Sequence, residues 1–475
     1  MAQGKSRKEQ KAAWKGKRVL VIGAGLSGVA AVNLLHKAGA ETLLLEQNEK
    51  RSAEEVRAGL KEQDRDNTKI RIGTLSGEEL NGIDFCVPSP AVPMDAPLIL
   101  TLKEKSIPVI SEIELAYRLM QGKLVAITGT NGKTTTTTLT GELLSARPGY
   151  GYGREVFVVG NIGDAFALHT LDAGKNSVTV AEISSFQLEA VEEFHADVSC
   201  IMNITPDHLD RHHTMEAYAK AKERITNLQT KENADFCVLN YMDPYLRAFG
   251  EERCTAEVLW FSSGERPPRG LWLNDDDITV VGLSEEDYVL MRFSECRLVG
   301  HAGAEDVMAA LAIMIALGHE PFSSVEVIRN FKPVPHRIEF IATKRGVDFY
   351  NDSKATNPDA AIQGIRAMKK PTVLIGGGYD KHGTYDAWVE AFKDRAKALV
   401  LIGETKEAIA ACAREHGYTK ILPAESLEEA LEKAVQTAEE GDAVLLSPAC
   451  ASWGMFANYE ERGDRFRAYV EALTE

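Results

Sequence analysis

The chain contains 475 residues, a length that predicts about three domains. Hydrophobic residues make up 44% of the sequence and charged residues 26%, which excludes a disordered, collagen-like or coiled-coil protein. The 54 lysines and arginines against 70 aspartates and glutamates give a formal net charge of −16. A surface this acidic is a poor general binder of nucleic acid or anionic lipid, so an anionic small substrate would need a local basic pocket.

The cysteines and the N-terminal residues bear on the cellular compartment. The seven cysteines are far apart, and an odd number without a paired-cysteine or cysteine–histidine spacing argues against a disulfide framework and a structural zinc site. Residues 1–17 are polar and basic and lack the apolar segment of a secretory signal, so we expect a solvated tail or a short helix there. Residues 307–317 are the longest apolar run, and they are typical of a buried helix rather than a membrane span. These features predict a reducing, cytoplasmic location without membrane insertion.

Short β-branched runs alternate with longer amphipathic segments, which is the pattern of an α/β protein. Strands are predicted at 18–22, 41–45 and 84–87, then at 124–128, 156–159, 177–183, 198–201 and 236–239, and finally at 347–350, 372–375, 398–402 and 443–446. Helices are predicted between the strands, for example at 26–37, 134–145, 218–228 and 427–437. Boundaries near Ser111 and Pro335 give an N-terminal domain of residues 1–111, a central domain of residues 112–334 and a C-terminal domain of residues 335–475.

The first glycine-rich loop lies between a predicted strand and a predicted helix. Gly23, Gly25 and Gly28 form a G-x-G-x-x-G pattern, and Glu46 ends the next strand 18 residues after Gly28. This fingerprint is typical of dinucleotide-binding domains, where a helix N-terminus faces a diphosphate and an acidic residue binds a ribose hydroxyl. This pattern alone leaves three interpretations open. The chain can be an NAD enzyme, it can bind a nucleotide-sugar diphosphate, or the loop can be a strand–helix turn without a ligand.

The second glycine-rich loop, GTNGKT at 129–134, also joins a strand to a helix. Ile127 stands where a Walker A loop has its first glycine, so this is a shorter G-x-x-G-K-T loop. Backbone N–H groups of such a loop can hold a β-phosphate, Lys133 can reach the β/γ oxygens, and the Thr134 hydroxyl can meet Mg²⁺. A lysine directly after a glycine at a helix start favours a nucleoside triphosphate site over a structural turn.

Polar residues also follow later strands of the central region. Glu182 ends one predicted strand, and His208 belongs to a polar turn at 203–213 after the next strand, which favours a site that handles a cation or a proton. The following helix contains Lys220 and Lys222, whose side chains point about 200° apart around the helix axis. At most one of these lysines can therefore face an interior site, and a solvated face is the default for either.

In the last third of the chain, polar loops follow three predicted strands, at 351–358, 376–382 and 447–453. If these strands belong to one parallel sheet, their carboxyl ends share an edge and the three loops converge there. Their lysines would suit anionic groups of a substrate. Separate surface loops are the alternative.

These motifs resemble those of the Mur ligase family of ATP-dependent amide-forming enzymes, over nearly the whole chain. The resemblance depends on residues 129–134, 160–163, 182–189, 207–211, 335–337, 351–357 and 447–452. The last two segments are similar to those of the members that add D-glutamate. The resemblance implies an α/β fold with three domains. An N-terminal Rossmann-like domain would bind the uridine diphosphate of UDP-N-acetylmuramoyl-L-alanine, a central P-loop-type ATPase domain with a mostly parallel sheet would bind ATP, and a C-terminal Rossmann-like domain would bind D-glutamate.

The resemblance also implies roles for individual residues. Those implied to bind the UDP-sugar are Gly25, Leu26, Ser27, Gly28, Glu46, Gln47, Asn161 and Ser184. Those implied to bind ATP are Gly129, Thr130, Asn131, Gly132, Lys133, Thr134, Thr135, Arg337 and Asp352. Those implied to surround D-glutamate are Thr356, Lys381, Ser452, Trp453 and Tyr459. Two Mg²⁺ ions, for which Mn²⁺ is an alternative, are implied at Thr134, Glu182, His208 and a carbamylated Lys222, and the implied catalytic residues are Lys133, His208, Lys222 and Lys354.

The implied reaction passes through an acyl phosphate and a tetrahedral intermediate, in a monomer that has small-molecule substrates and no nucleic-acid partner. Two features depart from the family pattern: Gly303 and Asp306 replace asparagines of the turn that contacts adenine, and Pro333 replaces a glycine of the connector before the last domain. The alternatives are a sibling or folylpolyglutamate synthase-like ligase, an NAD-dependent oxidoreductase, and a nucleotide-binding protein without catalysis.

Overall fold

The computed structural model describes residues 6–146, 155–380 and 384–474. The chain divides into two compact units, which are described separately below. The first unit comprises the described parts of Met1–Ile204, His208–Arg292 and Asp306–Ile328, and the second those of Thr205–Asp207, Phe293–Glu305 and Arg329–Glu475. In the part of the chain that the structure describes, no helix combines the length and the apolar character needed to cross a membrane.

The N-terminal part of the first unit is built on a parallel sheet. Its elements are α1 (Arg7–Ala12), β1 (Arg18–Ile22), α2 (Leu26–Ala38), β2 (Glu41–Glu46), α3 (Ala53–Gly59), α4 (Glu62–Arg65), β3 (Thr68–Ile72), β4 (Phe85–Pro88) and α5 (Pro97–Glu104). The described strands pair in the order β3-β2-β1-β4, all parallel. Helix α1 starts at a capping box on Ser6 and buries Gln10, and Trp14 is buried just after it. Of the two alternatives expected for this segment, a solvated tail and a short helix, the described residues form the helix.

The rest of the first unit surrounds a larger sheet. Its elements are α6 (Glu112–Leu119), β5 (Lys123–Thr128), α7 (Lys133–Ser145), β6 (Val156–Gly160), α8 (Phe166–His169), β7 (Val178–Glu182), α9 (Ser185–Leu188), β8 (Val198–Ile201), α10 (Leu209–His212), α11 (Met215–Glu223), β9 (Phe236–Asn240), α12 (Pro244–Glu252), β10 (Glu257–Ser262), β11 (Gly270–Asn274), β12 (Asp277–Val281), β13 (Tyr288–Arg292) and most of α13 (Gly300–Ala316) and α14 (Val325–Asn330). The first residues of α13, before Asp306, and the last of α14, after Ile328, belong to the second unit. The strands pair in the order β13-β12-β11-β10-β9-β8-β5-β7-β6. From β6 to β11 the pairs are parallel, and β12 and β13 add an antiparallel edge.

Two helices differ from their predicted bounds by more than one residue. The helix predicted at 218–228 is α11, which begins at Met215 because the Thr214 side chain caps it, and it ends at Glu223. A 3₁₀ turn and then Leu228, whose φ of 67° is left-handed, stop the helix there. The apolar run predicted as a buried helix belongs to α13, and the prediction is confirmed since its residues from Val307 to Met314 are buried.

The second unit is built on a third sheet. Its elements are β14 (Glu339–Lys344), β15 (Val347–Asn351), α15 (Pro358–Ala367), β16 (Thr372–Gly376), α16 (Asp386–Phe392), β17 (Ala396–Leu401), α17 (Lys406–Glu415), β18 (Ile421–Pro423), α18 (Leu427–Thr437), β19 (Ala443–Leu446) and α19 (Tyr459–Ala472). The strands pair in the order β14-β15-β19-β16-β17-β18, and β15, β19 and β16 are parallel neighbours. The expectation that the three polar loops follow strands of one parallel sheet is therefore confirmed.

Hydrophobic packing explains why the chain forms two compact units. One cluster of buried side chains runs from Val19 and Leu34 around the first sheet to Phe166 and Ile183 of the central region. In the second unit, side chains alternate between two clusters on opposite faces of the sheet, with Leu374 in one and Val373 in the other. The three sheets with their helices confirm the predicted α/β fold class, while the boundaries near Ser111 and Pro335 stay predictions.

Candidate active site

Three neighbouring parallel strands of the central sheet end side by side. The register pairs Ile127 of β5 with Glu182 of β7, and Thr128 of β5 with Ile201 of β8. The loop at 129–134, Glu182 and the polar turn after β8 therefore leave the same edge of the sheet. The carboxyl edge of a parallel sheet is where ligands of α/β proteins bind, so this is the candidate active site.

The backbone of the 129–134 loop requires its glycines. Gly129 has a φ of 146° and Gly132 a φ of 85°, conformations that L side chains rarely adopt. A Cβ added at Gly129 would lie 2.7 Å from Cβ of Met202, and one added at Gly132 would lie 2.5 Å from Oδ1 of Asp306. At these two positions the loop backbone therefore lies too close to its neighbours for a side chain. Such a close approach is typical of a loop whose backbone N–H groups hold a phosphate.

Asn203 holds the loop in this shape. Its Oδ1 accepts hydrogen bonds from the backbone N–H groups of Thr130 and Asn131 at 3.1 and 2.8 Å, and its Nδ2 donates to the carbonyl of Asn131 at 3.2 Å. The Thr130 hydroxyl also lies 3.1 Å from the hydroxyl of Tyr218 on α11. Sequence reasoning placed Asn203 in the polar turn after β8 but gave it no role of its own.

Two lysines contact the first carbonyl of the loop. Nζ of Lys133 donates to the carbonyls of Gly129 and Thr130 at 2.8 Å each, and Nζ of Lys222 donates to Gly129 O at 2.7 Å. Lys222 is 2% exposed and its ammonium lies 4.6 Å from the ring centre of Tyr218, whereas Lys220 is exposed. The default prediction of a solvated side chain is therefore wrong for Lys222 and confirmed for Lys220. Both lysine side chains therefore contact the backbone of the loop.

Glu182 offers an unsatisfied carboxylate oxygen beside this loop. Its Oε1 accepts a hydrogen bond from Nδ2 of Asn161 at 2.8 Å, while its buried Oε2 has no hydrogen-bond partner among the described residues. A buried anionic oxygen without a partner is costly unless a cation meets it. The side chain of Thr134, at the start of α7, is also buried. Carboxylate and hydroxyl oxygens are ligands that suit Mg²⁺, so these residues fit the expected ion.

His208 lies at the start of α10, in a left-handed conformation with a φ of 53°. Its ring packs edge-on against Phe186 at 4.9 Å between ring centres and is exposed. Phe186 also lies under the guanidinium of Arg211, at 4.6 Å from carbon to ring centre. The imidazole of His208 is thus exposed next to the candidate site. Its role as a ligand of a second ion stays a prediction.

The first glycine-rich loop leads into α2 without a side-chain cap. Gly25 precedes the helix, and Leu26, its first residue, is 82% exposed. A Cβ added at Gly28 would lie 1.9 Å from the carbonyl oxygen of Gly23, so this close helix–strand packing needs glycine. Backbone N–H groups at an uncapped helix start suit a diphosphate.

Glu46, predicted to bind a ribose, already has protein partners. Its Oε2 accepts from Arg51 Nη1 at 2.9 Å and from the Ala24 N–H at 3.3 Å, and its Oε1 accepts from the Asn48 N–H at 2.9 Å. Arg51, which sequence reasoning did not single out, thereby links the strand end to the glycine loop. Of the other predicted sugar-binding residues, Ser184 forms a capping box at the start of α9.

In the second unit, a buried carboxylate lies at the carboxyl edge of the sheet. Asp352 accepts hydrogen bonds from the Ser447 hydroxyl at 2.7 Å and the Ile338 N–H at 3.2 Å. Burial raises the pKa of Asp352 to about 7, although the bond from Ser447 and the charge of Arg337 favour the ionised form. Nε of Arg337 is buried and has no hydrogen-bond partner among the described residues, a donor that would suit an anionic ligand.

Arg462 joins two of the polar loops, although sequence reasoning gave it no role. This residue is fully buried, and its guanidinium donates to the Ser353 hydroxyl at 2.9 Å, the Ser353 carbonyl at 2.7 Å and the Cys450 carbonyl at 3.2 Å. Next to it, the Lys354 ammonium lies 5.4 Å from the ring centre of Tyr459. The loops after β15 and β19 are thus held together by one buried cation.

The residues predicted to surround D-glutamate differ in exposure. Ser452 is buried, while Trp453 is 55% exposed and packs edge-on against Tyr379 at 5.6 Å between ring centres. The Thr356 N–H donates to the Lys354 carbonyl at 2.8 Å. Lys381, the remaining predicted residue besides Tyr459, lies outside the described residues.

Asp306, one of the departures from the family pattern, lies against the 129–134 loop. Its side chain is buried, and Oδ1 accepts a hydrogen bond from the Thr136 hydroxyl at 3.3 Å. Asp306 and Gly303 both belong to α13. The side chain of Thr135, a predicted ATP-binding residue, is fully buried.

Comparison with known proteins identifies the family. Residues 17–111 match the Mur ligase MurD-like N-terminal domain, residues 127–314 the Mur ligase middle domain, and residues 336–450 the Mur ligase glutamate ligase domain. UDP-N-acetylmuramoylalanine--D-glutamate ligase of Lachnospira eligens is 50% identical to the chain over 459 residues, 97% of this chain and 99% of that protein. The chain belongs to the Mur ligase family. Its match to all three family domains confirms the predicted three-domain organisation.

Further Mur ligases are similar to the chain in sequence or in fold. Proteins with the same name from Lachnoclostridium phytofermentans and Clostridioides difficile are 49% and 40% identical, covering 96% and 97% of this chain and 98% and 99% of their own lengths. The crystal structure of MurF from Acinetobacter baumannii has a TM-score of 0.61 at 17% identity and 98% coverage of both chains. MurF from Thermotoga maritima in complex with ADP has a TM-score of 0.57 at 17% identity, covering 97% of this chain and 96% of that one. The two structures show the shared Mur ligase fold.

Proposed function

We propose that this protein is an ATP-dependent ligase that joins the amine of D-glutamate to the free carboxyl group of UDP-N-acetylmuramoyl-L-alanine, a step of peptidoglycan synthesis. The observation that carries the proposal is the full-length similarity to enzymes named for this reaction, at 50% identity for one of them. The glycine-dependent loop at 129–134, with Lys133 and the unsatisfied oxygen of Glu182 beside it, supports a phosphoryl-transfer site.

The reaction needs activation because a carboxylate is a poor acyl donor. A carboxylate oxygen of the alanyl group attacks the γ-phosphorus of ATP, and the bond between that phosphorus and the β–γ bridging oxygen breaks. ADP departs, and the alanyl group is now an acyl phosphate. The amine of D-glutamate then attacks the carbonyl carbon, and the tetrahedral intermediate expels phosphate while the amine loses its proton. Two anions meet in the first step, so the positive charge of Lys133 at the loop lowers their repulsion.

Mg²⁺ supplies further compensation of the phosphate charge when it is bound. We propose Thr134 and Glu182 as protein ligands of one ion, with His208 and a carbamylated Lys222 serving a second, and Mn²⁺ as a substitute ion. The buried, unpartnered Oε2 of Glu182 supports the first of these sites. The side chain of Lys222 points to the loop carbonyl of Gly129, which supports a role for this lysine at the loop.

We keep the remaining residue roles as proposals. The UDP-sugar is assigned to Gly25, Leu26, Ser27, Gly28, Glu46, Gln47, Asn161 and Ser184, further ATP contacts to Arg337 and Asp352, catalysis also to Lys354, and D-glutamate to Thr356, Lys381, Ser452, Trp453 and Tyr459. A monomer suffices because one chain carries every assigned residue. A cytoplasmic location is proposed because the seven cysteines are all free thiols, which suit a reducing compartment.

Phosphate release from ATP tests the reaction. We expect release to require UDP-N-acetylmuramoyl-L-alanine, because its carboxylate is the acceptor of the phosphoryl group. Sustained turnover should further require D-glutamate, since its amine regenerates the enzyme by consuming the acyl phosphate. The measurement is a coupled phosphate assay with each substrate withheld in turn. Equal turnover with L-alanine, L-lysine or diaminopimelate in place of D-glutamate would contradict the proposed substrate.

A binding titration tests the N-terminal domain. We expect UDP to bind and NAD not to bind, and Gly25→Ala to weaken UDP binding by on the order of tenfold, because the added methyl would stand where the backbone approaches the diphosphate. The folded chain has room for this methyl, since a Cβ at Gly25 has no neighbour within 4 Å. Gly59→Ala, also without a neighbour within 4 Å, is the matched control and should leave UDP binding unchanged. Tight NAD binding that UDP does not displace would overturn the assignment.

A further inference from the structure

Helices α16 and α17 of the second unit bring together a set of side chains that the proposed reaction does not use. A carboxylate oxygen of Asp386, the sulfur of Cys412 and a ring nitrogen of His416 all lie within 4.8 Å of one another. Asp386 is exposed, and Cys412 and His416 are partly exposed. Oxygen, sulfur and nitrogen ligands that converge from two helices at the surface form a group that an ion can reach from solvent.

The spacing along each helix explains the convergence. Cys412 and His416 are four residues apart at the end of α17, so they lie on one helix face. Asp386 and Glu390 are four residues apart on α16, which packs against α17. Sequence reasoning predicted no cysteine–histidine spacing and so overlooked this pair. The acidic partners of Cys412 and His416 come from another helix, and only the fold brings them together.

Hydrogen bonds orient the imidazole. Nδ1 of His416 lies 2.8 Å from Oε1 of Glu390, and Nε2 lies 3.1 Å from Oδ1 of Asp386. A histidine that ligates a metal through one nitrogen usually donates its other N–H to a carboxylate, which fixes the ring and raises its basicity. Glu390 is in place to accept from Nδ1, which directs Nε2 towards Asp386 and Cys412. Lys393 pairs with the same Glu390 at 2.7 Å and so holds the carboxylate.

We propose that Asp386, Cys412 and His416 bind a zinc-class divalent transition-metal ion, with Glu390 as the residue that positions His416. A thiolate and an imidazole select Zn²⁺ and similar ions over Mg²⁺, which prefers oxygen ligands. On binding, the thiol and Nε2 each release a proton to solvent, and the ion forms bonds to sulfur, nitrogen and oxygen. Three protein ligands leave a fourth position for water. The bound ion would link α16 to α17 and stabilise this part of the fold.

Titration of the full-length protein with Co²⁺ tests the site, since a cobalt–thiolate bond gives a charge-transfer absorption band that the oxygen ligands of a magnesium site do not give. After dialysis against a chelator, we expect this band to appear and to saturate at one ion per chain. Zn²⁺ should displace the cobalt and raise the melting temperature. No band, or no displacement by Zn²⁺, would overturn the proposal.

Variants assign the ligands. Cys412→Ser is expected to abolish the band, and His416→Gln and Asp386→Asn to weaken metal binding at least tenfold. Glu390→Gln should retain the band while weakening the affinity by roughly 10- to 100-fold, as expected for a residue that acts through the histidine. Cys296→Ser, at another partly exposed cysteine, is the control and should bind as the wild type does. Circular dichroism checks that each variant is folded. Should Cys412→Ser not fold, the histidine and aspartate variants decide. A band that survives in folded Cys412→Ser, or an unchanged affinity in His416→Gln and Asp386→Asn, would refute the site.

Discussion

Replacing Lys133 by alanine is expected to lower turnover by on the order of a thousandfold or more, because several kcal/mol of transition-state stabilisation disappear with this charge. The structure supports a direct role: Nζ of Lys133 donates to the carbonyls of Gly129 and Thr130, so the ammonium lies on the loop that is proposed to hold the phosphates. With nucleotide bound, the same flexible side chain can turn from these carbonyls to the β/γ oxygens. The measurement is the steady-state rate of phosphate release at saturating substrates.

The comparison variant for Lys133 is Lys220→Ala, which removes an exposed lysine from the same unit. This variant should keep near-normal activity, which separates the loss of a specific charge from a change in the net charge of the protein. Lys133→Ala should keep the circular dichroism spectrum and the cooperative unfolding of the wild type, since the side chain is partly exposed. Near-normal activity in folded Lys133→Ala would show that another group neutralises the phosphate.

Replacing Lys222 by alanine is expected to reduce turnover by on the order of a hundredfold or more. An ammonium next to Mg²⁺ would repel it, whereas a carbamate is an anionic oxygen ligand that suits the ion. Carbon dioxide adds to the neutral amine by forming a nitrogen–carbon bond, and the nitrogen loses a proton to solvent. The carbamate keeps one N–H, which can still donate to the Gly129 carbonyl that Lys222 contacts at 2.7 Å.

The structure offers a competing explanation for the same loss. As an ammonium, Lys222 would clamp the loop through Gly129 and lie against the ring of Tyr218. The clamp predicts that added carboxylate has no effect, whereas the carbamate predicts partial rescue of Lys222→Ala by acetate or formate, whose oxygens can take the place of the carbamate oxygens. Activity is therefore measured for Lys222→Ala and Lys220→Ala with and without acetate. Failure of rescue in a folded variant would refute the carbamate, and rescue of both variants would make the effect non-specific.

Local sequence was sufficient for the glycine-rich loops and many of the strands. Strands β1, β8 and β19 have the predicted bounds, because short buried runs of a parallel sheet are continuously apolar and end at turn residues. The loop at 129–134 could also be predicted, since its strand, its glycines and its helix are consecutive in the chain. Strands β12 and β13 were not predicted, because they are held by antiparallel pairing with neighbouring strands, which a run of five residues does not show by itself.

Contacts between residues far apart in sequence could not be predicted. The helical period shows that Lys220 and Lys222 point in different directions, but only the packing of α11 beside the loop decides that Lys222 is the buried one. The roles of Asn203 and Arg462 also depend on tertiary packing, since each residue holds a loop about 70 to 110 positions away in the sequence. The sequence by itself therefore determined the family, the α/β fold class and the phosphate loop, which are encoded in consecutive residues. The tertiary structure decided which polar side chains meet, because the pairing of strands and the packing of helices bring distant segments together.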